Sequence, residues 1–251
     1  MRRRCGLLVW ILGMAWLLSP LEALSCDDVN VLVNPGGESG PDPWEYVDLG
    51  SRHQVGSVTF TTGSVNATEG SAWFAGERTE TAVSIGTGAL RVDQAVDVRG
   101  PQPVECIRLD ADVFGVGEIL EGAGALQAIF TVRIDFYDDT SPNPIGAAFE
   151  FFGPFDLASP FETLGRRVET TDIPAGTAFA FARMQGQMNL NSSVGGVPVT
   201  GRAILGADNA VMTITLPEPP ASLAAITGWI TLLGVSQLRR LRPSSGTRAS
   251  G

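Results

Sequence analysis

Between Ala125 and Asp138 apolar and polar side chains alternate one by one: Leu126, Ala128, Phe130, Val132, Ile134 and Phe136 against Gln127, Thr131, Arg133 and Asp135. A period of two is the mark of a strand with one buried and one wet face. Ile107, Leu109, Ala111 and Val113 repeat it against Arg108, Asp110 and Asp112. The same pattern predicts strands over 29–33, 55–62, 89–98, 145–152, 177–184 and 209–216, each bounded by Gly, Pro or Asp/Asn clusters. No stretch carries the spacing of an amphipathic helix. Thirty glycines and sixteen prolines supply the turns that many short strands need. One-sided burial and short connections imply antiparallel pairing. The expected fold is therefore all-β, an antiparallel two-sheet β-sandwich.

Both ends of the chain break this pattern. Arg2, Arg3 and Arg4 precede an apolar stretch from Leu7 to Leu18, and Ala23-Leu24-Ser25 follows with small residues at the cleavage positions. As a helix that stretch reaches about 18 Å, short of the roughly 30 Å of a bilayer core. Residues 1–25 thus read as a signal peptide with a short signal helix. At the far end Leu216-Pro217-Glu218-Pro219-Pro220 leads into an apolar run from Ala221 to Leu238, closed by Arg239, Arg240 and Arg242. The prolines favour an extended, accessible segment, the run reaches about 27 Å as a transmembrane helix, and the arginines stay on the cytoplasmic side as a membrane stop. Residues 243–251 form a Ser/Gly/Arg tail of disordered composition. This leaves 26–216 for the folded domain and 217–242 for the tail segment.

The tripartite tail, with Pro217, Glu218 and Pro219 as its motif, resembles the sorting segment of PEP-CTERM proteins. The resemblance implies recognition by an exosortase after export and removal of residues 1–25 by signal peptidase. It also implies residence in a polysaccharide-rich bacterial cell envelope, surface or extracellular matrix after a transient stay in the membrane. A plain C-terminal anchor is the alternative.

Charge and cysteine content narrow the partners. The chain has no lysine, and residues 26–216 hold 25 acids against ten arginines, a net charge of −15. Such a surface repels phosphate backbones and excludes nucleic acid as a partner. With Cys5 removed, Cys26 and Cys106 remain, and in an oxidising compartment they are candidates for a disulfide. Lipidation of Cys26 is the other reading, although Ala23-Leu24-Ser25 lacks the leucine that a lipobox carries.

Several local motifs add detail. Leu32-Val33-Asn34-Pro35-Gly36-Gly37-Glu38-Ser39-Gly40 with Trp44, then Gln94 in a strand, Ile173-Pro174-Ala175-Gly176-Thr177 and Ala207-Asp208-Asn209-Ala210-Val211, occur in the order seen in galactose-binding-like jelly rolls. The chain resembles that group, which includes many carbohydrate-binding modules, over nearly all of 28–216, except that Gly37 replaces a usual Phe. The resemblance implies a structural Ca²⁺ joining Glu38 to Asp208. The competing reading has Glu38 capping a turn and Asp208 opening a strand. It also implies a polysaccharide ligand, and Trp44, Trp73, Tyr46 and Tyr137 are the aromatic candidates for stacking on sugar rings. Trp44 and Trp73 equally suit a sandwich core, whereas Tyr137 sits on the polar parity of its strand. Catalysis has little support: His53, the single histidine, lies in a polar segment, and no nucleophile elbow, zinc-binding pair or phosphate loop occurs. A non-enzymatic envelope protein is the expectation, with a hydrolase of diverged site as its alternative.

Overall fold

The computed structural model describes residues 30–217, apart from 41, 48–49 and 101–102. The signal segment, Cys26, Glu218, Pro219, the apolar run, Arg239, Arg240, Arg242 and the tail all lie outside the described residues. One compact unit ends at Thr215; of the unit that begins at Leu216, only Leu216 and Pro217 are described. Among the described residues no helix is long and apolar enough to cross a membrane.

Twelve strands follow one another: β1 (Glu45–Tyr46), β2 (Ser51–Val55), β3 (Val58–Phe60), β4 (Gly63–Val65), β5 (Ala72–Ala82), β6 (Ser84–Asp97), β7 (Cys106–Glu121), β8 (Gly124–Tyr137), β9 (Gly146–Asp156), β10 (Phe161–Thr170), β11 (Phe179–Ser192) and β12 (Val199–Thr215). A front sheet has the order β1-β6-β11-β8-β9 and a back sheet the order β10-β7-β12-β5-β2, with β3-β4 as a separate hairpin. Every pairing is antiparallel. The pairs nest, β8 with β9, β7 with β10, β6 with β11 and β5 with β12. That is a double-stranded ribbon rolled across two sheets, the jelly-roll arrangement.

The period-two pattern decides what faces inward. Leu126, Ala128, Phe130, Val132, Ile134 and Phe136 of β8 are all buried, and they meet Ile107, Leu109, Ala111 and Val113 of β7 in one core. Burying a side chain such as Phe130 or Ile134 stabilises by about 1.5–3 kcal/mol relative to leaving it wet. The predicted strand over 55–62 divides into the end of β2 and all of β3. The segment 30–33 is not a strand, yet Val31 N–H donates to Met212 O at 2.8 Å and Asn30 fixes both Ala210 O and Met212 N–H. Gln94 holds it from the other side, accepting from Val33 N–H at 2.7 Å and donating to Val33 O at 2.8 Å.

The outer faces of the two sheets differ. A second apolar cluster, Phe60, Val65, Trp73, Ala75, Phe114, Val116 and Ile204, lies on the outside of the back sheet, where the β3-β4 hairpin covers it. The outside of the front sheet has no such cover among the described residues. The sheet edges are short or interrupted: β1 has two residues and β2 five, while β9 carries an extra residue around Gly153 and β10 one around Gly165. Both glycines have positive φ, 115° and 58°, which a side chain would resist.

Candidate functional site

The uncovered face of the front sheet is built by strand register. Phe151, Thr131, Gln185 and Arg91 stand side by side on β9, β8, β11 and β6. One step along, Phe149, Arg133, Arg183, Asp93 and Glu45 form the next row, ending on β1. The second row is an ion-pair ladder. Arg183 donates through Nε and Nη2 to the two oxygens of Asp93 at 2.8 and 2.7 Å and pairs through Nη1 with Asp135. Arg91 reaches Asp93 at 3.1 Å and Arg133 reaches Asp135 at 2.5 Å. Burial alone would lower the Arg183 guanidinium, but Asp93 and Asp135 outweigh it and hold it above its ordinary value. Asp135, on the polar parity of β8, is consequently fully buried beneath its arginines.

Beside this ladder the sheet opens. Ala89 is an extra residue in β6, facing the step from Gly186 to Gln187 in β11. It turns inward, its carbonyl so close to Gly76 that a Cβ there would lie 2.0 Å away. Bulges of this kind recur next to binding sites because they re-aim neighbouring side chains. Here the bulge accompanies a pocket of 240 Å³ lined by Gly88, Ile129, Thr131, Phe151, Gln185 and Gln187, among others. Phe151 is 64 % exposed and packs edge-on against Phe149 at 5.2 Å. Gln127, Thr131 and Gln185 have no side-chain hydrogen-bond partner among the described residues, while Gln187 donates to Asn189 at 2.9 Å and keeps its own amide oxygen open. An exposed ring flanked by uncommitted amides and a hydroxyl presents a flat apolar surface next to donors and acceptors. Sugar rings have the same two kinds of surface.

The residues singled out in the sequence are dispersed. Tyr137 is on this face, half-buried and 4.8 Å from Phe181, but six residues along β8 from Thr131, about 20 Å away at 3.4 Å per residue. Trp44 and Trp73 cannot stack on a sugar. Trp44 is 4 % exposed, lies 4.7 Å from Phe74 and donates its indole N–H to Asn34 O at 2.9 Å. Trp73 is fully buried under the hairpin, 5.0 Å from Phe114, and donates to Gly56 O at 2.9 Å. Tyr46 is half-buried near Phe74, and burial pushes its phenol up to about 12. Gly37 has no room for the usual Phe: a Cβ there would meet His53 and Phe74, whose ring occupies this part of the core. His53 is on strand β2 rather than in a loop, its Nε2–H donating to Gly37 O at 2.8 Å.

Glu38 and Asp208 do not fit the Ca²⁺ that the resemblance implies. Glu38 Oε1 accepts from the N–H groups of Ser71 and Ala72 at 2.8 and 2.7 Å, which hold its carboxyl below the usual range. Asp208 Oδ2 accepts from Thr68 and Glu69 N–H at 2.8 and 3.0 Å, and Oδ1 from Asn209 N–H at 2.7 Å. The two acids clamp the loop 68–72, with Glu38 Oε2 taking the Ser71 hydroxyl at 3.3 Å. No group of three or more His, Cys, Asp or Glu side chains converges among the described residues. Burial raises the Asp208 carboxyl against the pull of these donors. Cys106, fully buried at the start of β7, is in a disulfide whose partner lies outside the described residues.

Phe149, Phe151, Gln185 and Gln187 were not legible as a site, although the Phe149-Glu150-Phe151-Phe152 run puts aromatic rings on both parities of β9. On β9 Phe149 and Phe151 are the exposed parity, while Phe152 packs against the core.

No family model matches the chain, and no curated protein does. Among solved structures it is similar to carbohydrate-binding modules from the β-sandwich superfamily (13 % identity, TM-score 0.34, 73 % of this chain and 62 % of that one). It is also similar to the enzymatically active domain of tailspike protein 4 of bacteriophage CBA120 (14 % identity, TM-score 0.34, 74 % of this chain and 22 % of that one). The chain therefore spans less than two thirds of either neighbour.

Proposed function

We propose that the chain is an exported, non-enzymatic protein of the bacterial envelope whose front face binds polysaccharide. The observation that carries the binding reading is the pocket at the β6 bulge, where exposed Phe151 stands among Thr131 and Gln185, which have no side-chain hydrogen-bond partner among the described residues, and Gln187. Binding modules use this combination, with a ring to stack a pyranose face and amides to reach its hydroxyls. Delivery rests on the two ends: the Arg2–Ser25 segment for export, and Pro217-Glu218-Pro219, the apolar run and Arg239, Arg240 and Arg242 for handling by an exosortase. The polar groups clustered behind the back sheet support binding over hydrolysis. Thr68, Asp112, Asp208 and Glu118 are hydrogen-bonded to one another or to backbone and hold the loops over that sheet.

Affinity electrophoresis of the full-length chain in detergent, through gels containing envelope polysaccharides, tests the binding. Retardation by at least one of them without its depolymerisation is expected. Release of reducing ends would instead establish a hydrolase. Mass spectrometry of the protein from its native host tests delivery, with cleavage after Ser25 and processing near Pro217 expected; a full-length cytosolic product would overturn it.

A further inference from the structure

Resting on the polysaccharide reading of the front face, we infer that its ligand is a neutral oligosaccharide lying across the strands, and that the ion-pair ladder serves to exclude acidic glycans. Three guanidiniums, those of Arg91, Arg133 and Arg183, border the pocket, and an arginine-lined groove would ordinarily suit uronate or sulfate groups. Here each is already matched to carboxylate. Asp93 is shared by Arg91 and Arg183, Asp135 by Arg183 and Arg133, and Glu45 stands in register with Asp93 at the end of the row. Further along β8, Asp156 stands in register with Gln127 and adds a negative charge to the same sheet. The face therefore offers an anion no surplus positive charge, within a domain of net charge −15 that repels polyanions at longer range.

What remains for recognition is neutral. Thr131 and Gln185 can each donate to or accept from a hydroxyl, the amide oxygen of Gln187 can accept from one, and Phe151 supplies the stacking surface. Direction follows from the placement of these groups. Phe151 is on the edge strand β9, Thr131 on β8, Gln185 and Gln187 on β11, and Gly88 on β6 leaves the far end without a side chain. Three strand spacings of about 4.8 Å make a track of about 14 Å. That is the reach of a short oligosaccharide rather than of one ring.

The test is a glycan array probed with the full-length chain in detergent, displaying neutral oligohexoses of increasing length beside oligouronates and sulfated glycans. Calorimetry then follows on whatever binds, at about 50 and about 500 mM NaCl, a range over which exposed charge pairs are largely screened. Expected are binding of neutral chains, affinity that rises up to a trisaccharide and then levels, and less than about a twofold change with salt. Preferential binding of uronates or sulfated glycans, weakening about tenfold or more in high salt, would overturn this inference while leaving polysaccharide binding intact. Failure to bind any glycan would remove the underlying reading as well. The variant Asp93→Asn frees guanidinium charge and is expected to gain retention of oligouronates. The salt series on the unaltered chain decides the question even if that variant does not fold.

Discussion

The outer faces of the two sheets are made from similar strands yet have opposite fates. Behind the back sheet the β3-β4 hairpin buries Trp73, Phe114 and Ile204, and the nearby polar groups are paired: Thr61 with Glu118, Thr68 with Asp112 and Asp208. In front, Phe149 and Phe151 stay exposed, and the side chains of Gln127 and Gln185 have no hydrogen-bond partner among the described residues. A covered face has converted its side chains into stability. An open face with an unspent aromatic ring has kept them for contact with something else.

Substitutions on the two faces should therefore separate folding from binding. The largest loss is expected at the back sheet's covalent tie. If Cys26 is the partner of Cys106, Cys26→Ala opens a loop of about 80 residues and lowers stability by about 4–5 kcal/mol in the chain-entropy view. Denaturant unfolding measures it, and a disulfide-linked peptide containing both cysteines identifies the pair by mass spectrometry. Next comes Trp73→Ala, which empties the covered cluster at a cost of about 3–5 kcal/mol. Glycan affinity of the molecules that remain folded should not change, and a parallel loss of affinity would show that the faces are not independent.

A pH series gives a smaller but signed effect. Asp208 has its carboxyl raised by burial, so the stability it contributes is present below the unfolded value near 3.9 and lost as pH rises through the folded one. The Thr68 hydroxyl lies 2.9 Å from Asp112 and 3.0 Å from Asp208, and its single hydrogen cannot serve both carboxylates. Asp208→Asn should therefore show a smaller fall in melting temperature from about pH 4 to about pH 8 than the unaltered chain. Glu38 works in the other direction. Its carboxyl is held low by the Ala72 and Ser71 N–H groups, so its contribution is present above its unfolded value and fades as pH falls through the folded one; Glu38→Gln should melt with a shallower acid slope. The smallest stability change belongs to the open face: Phe151→Ala should alter unfolding by no more than about 0.5 kcal/mol. The same substitution should cost tenfold or more in glycan affinity, and unchanged affinity would move the site elsewhere.

The same contrast explains how much of the fold could be read in advance. Strands of the front sheet bury one face and show it: the alternation along β8 placed Leu126 through Phe136 inward and Arg133 outward. Strand β5 was not predicted, because Ala72-Trp73-Phe74-Ala75 is covered on both sides, by the core and by the hairpin, and so has no alternation to display. Strand β10 was missed because its bulge at Gly165 shifts the parity half-way along. For the site, large aromatics alone do not discriminate, because the core selects Trp44 and Trp73 for their size, and the polar parity of Tyr137 gives the right face of β8 but not the place along it. The roles of Gln185 and Gln187 depend on the extra residue at Ala89 in a neighbouring strand, and no local pattern in β11 announces that.

The interrupted edges bear on how copies of the domain would pack side by side. Strands β9 and β10 border the same side of the sandwich, and each breaks its outward row of N–H and C=O groups at a glycine. Neighbouring copies packed together at a surface would find no continuous strand on that side to extend. On that side crowding would leave each copy separate rather than extend one sheet into the next.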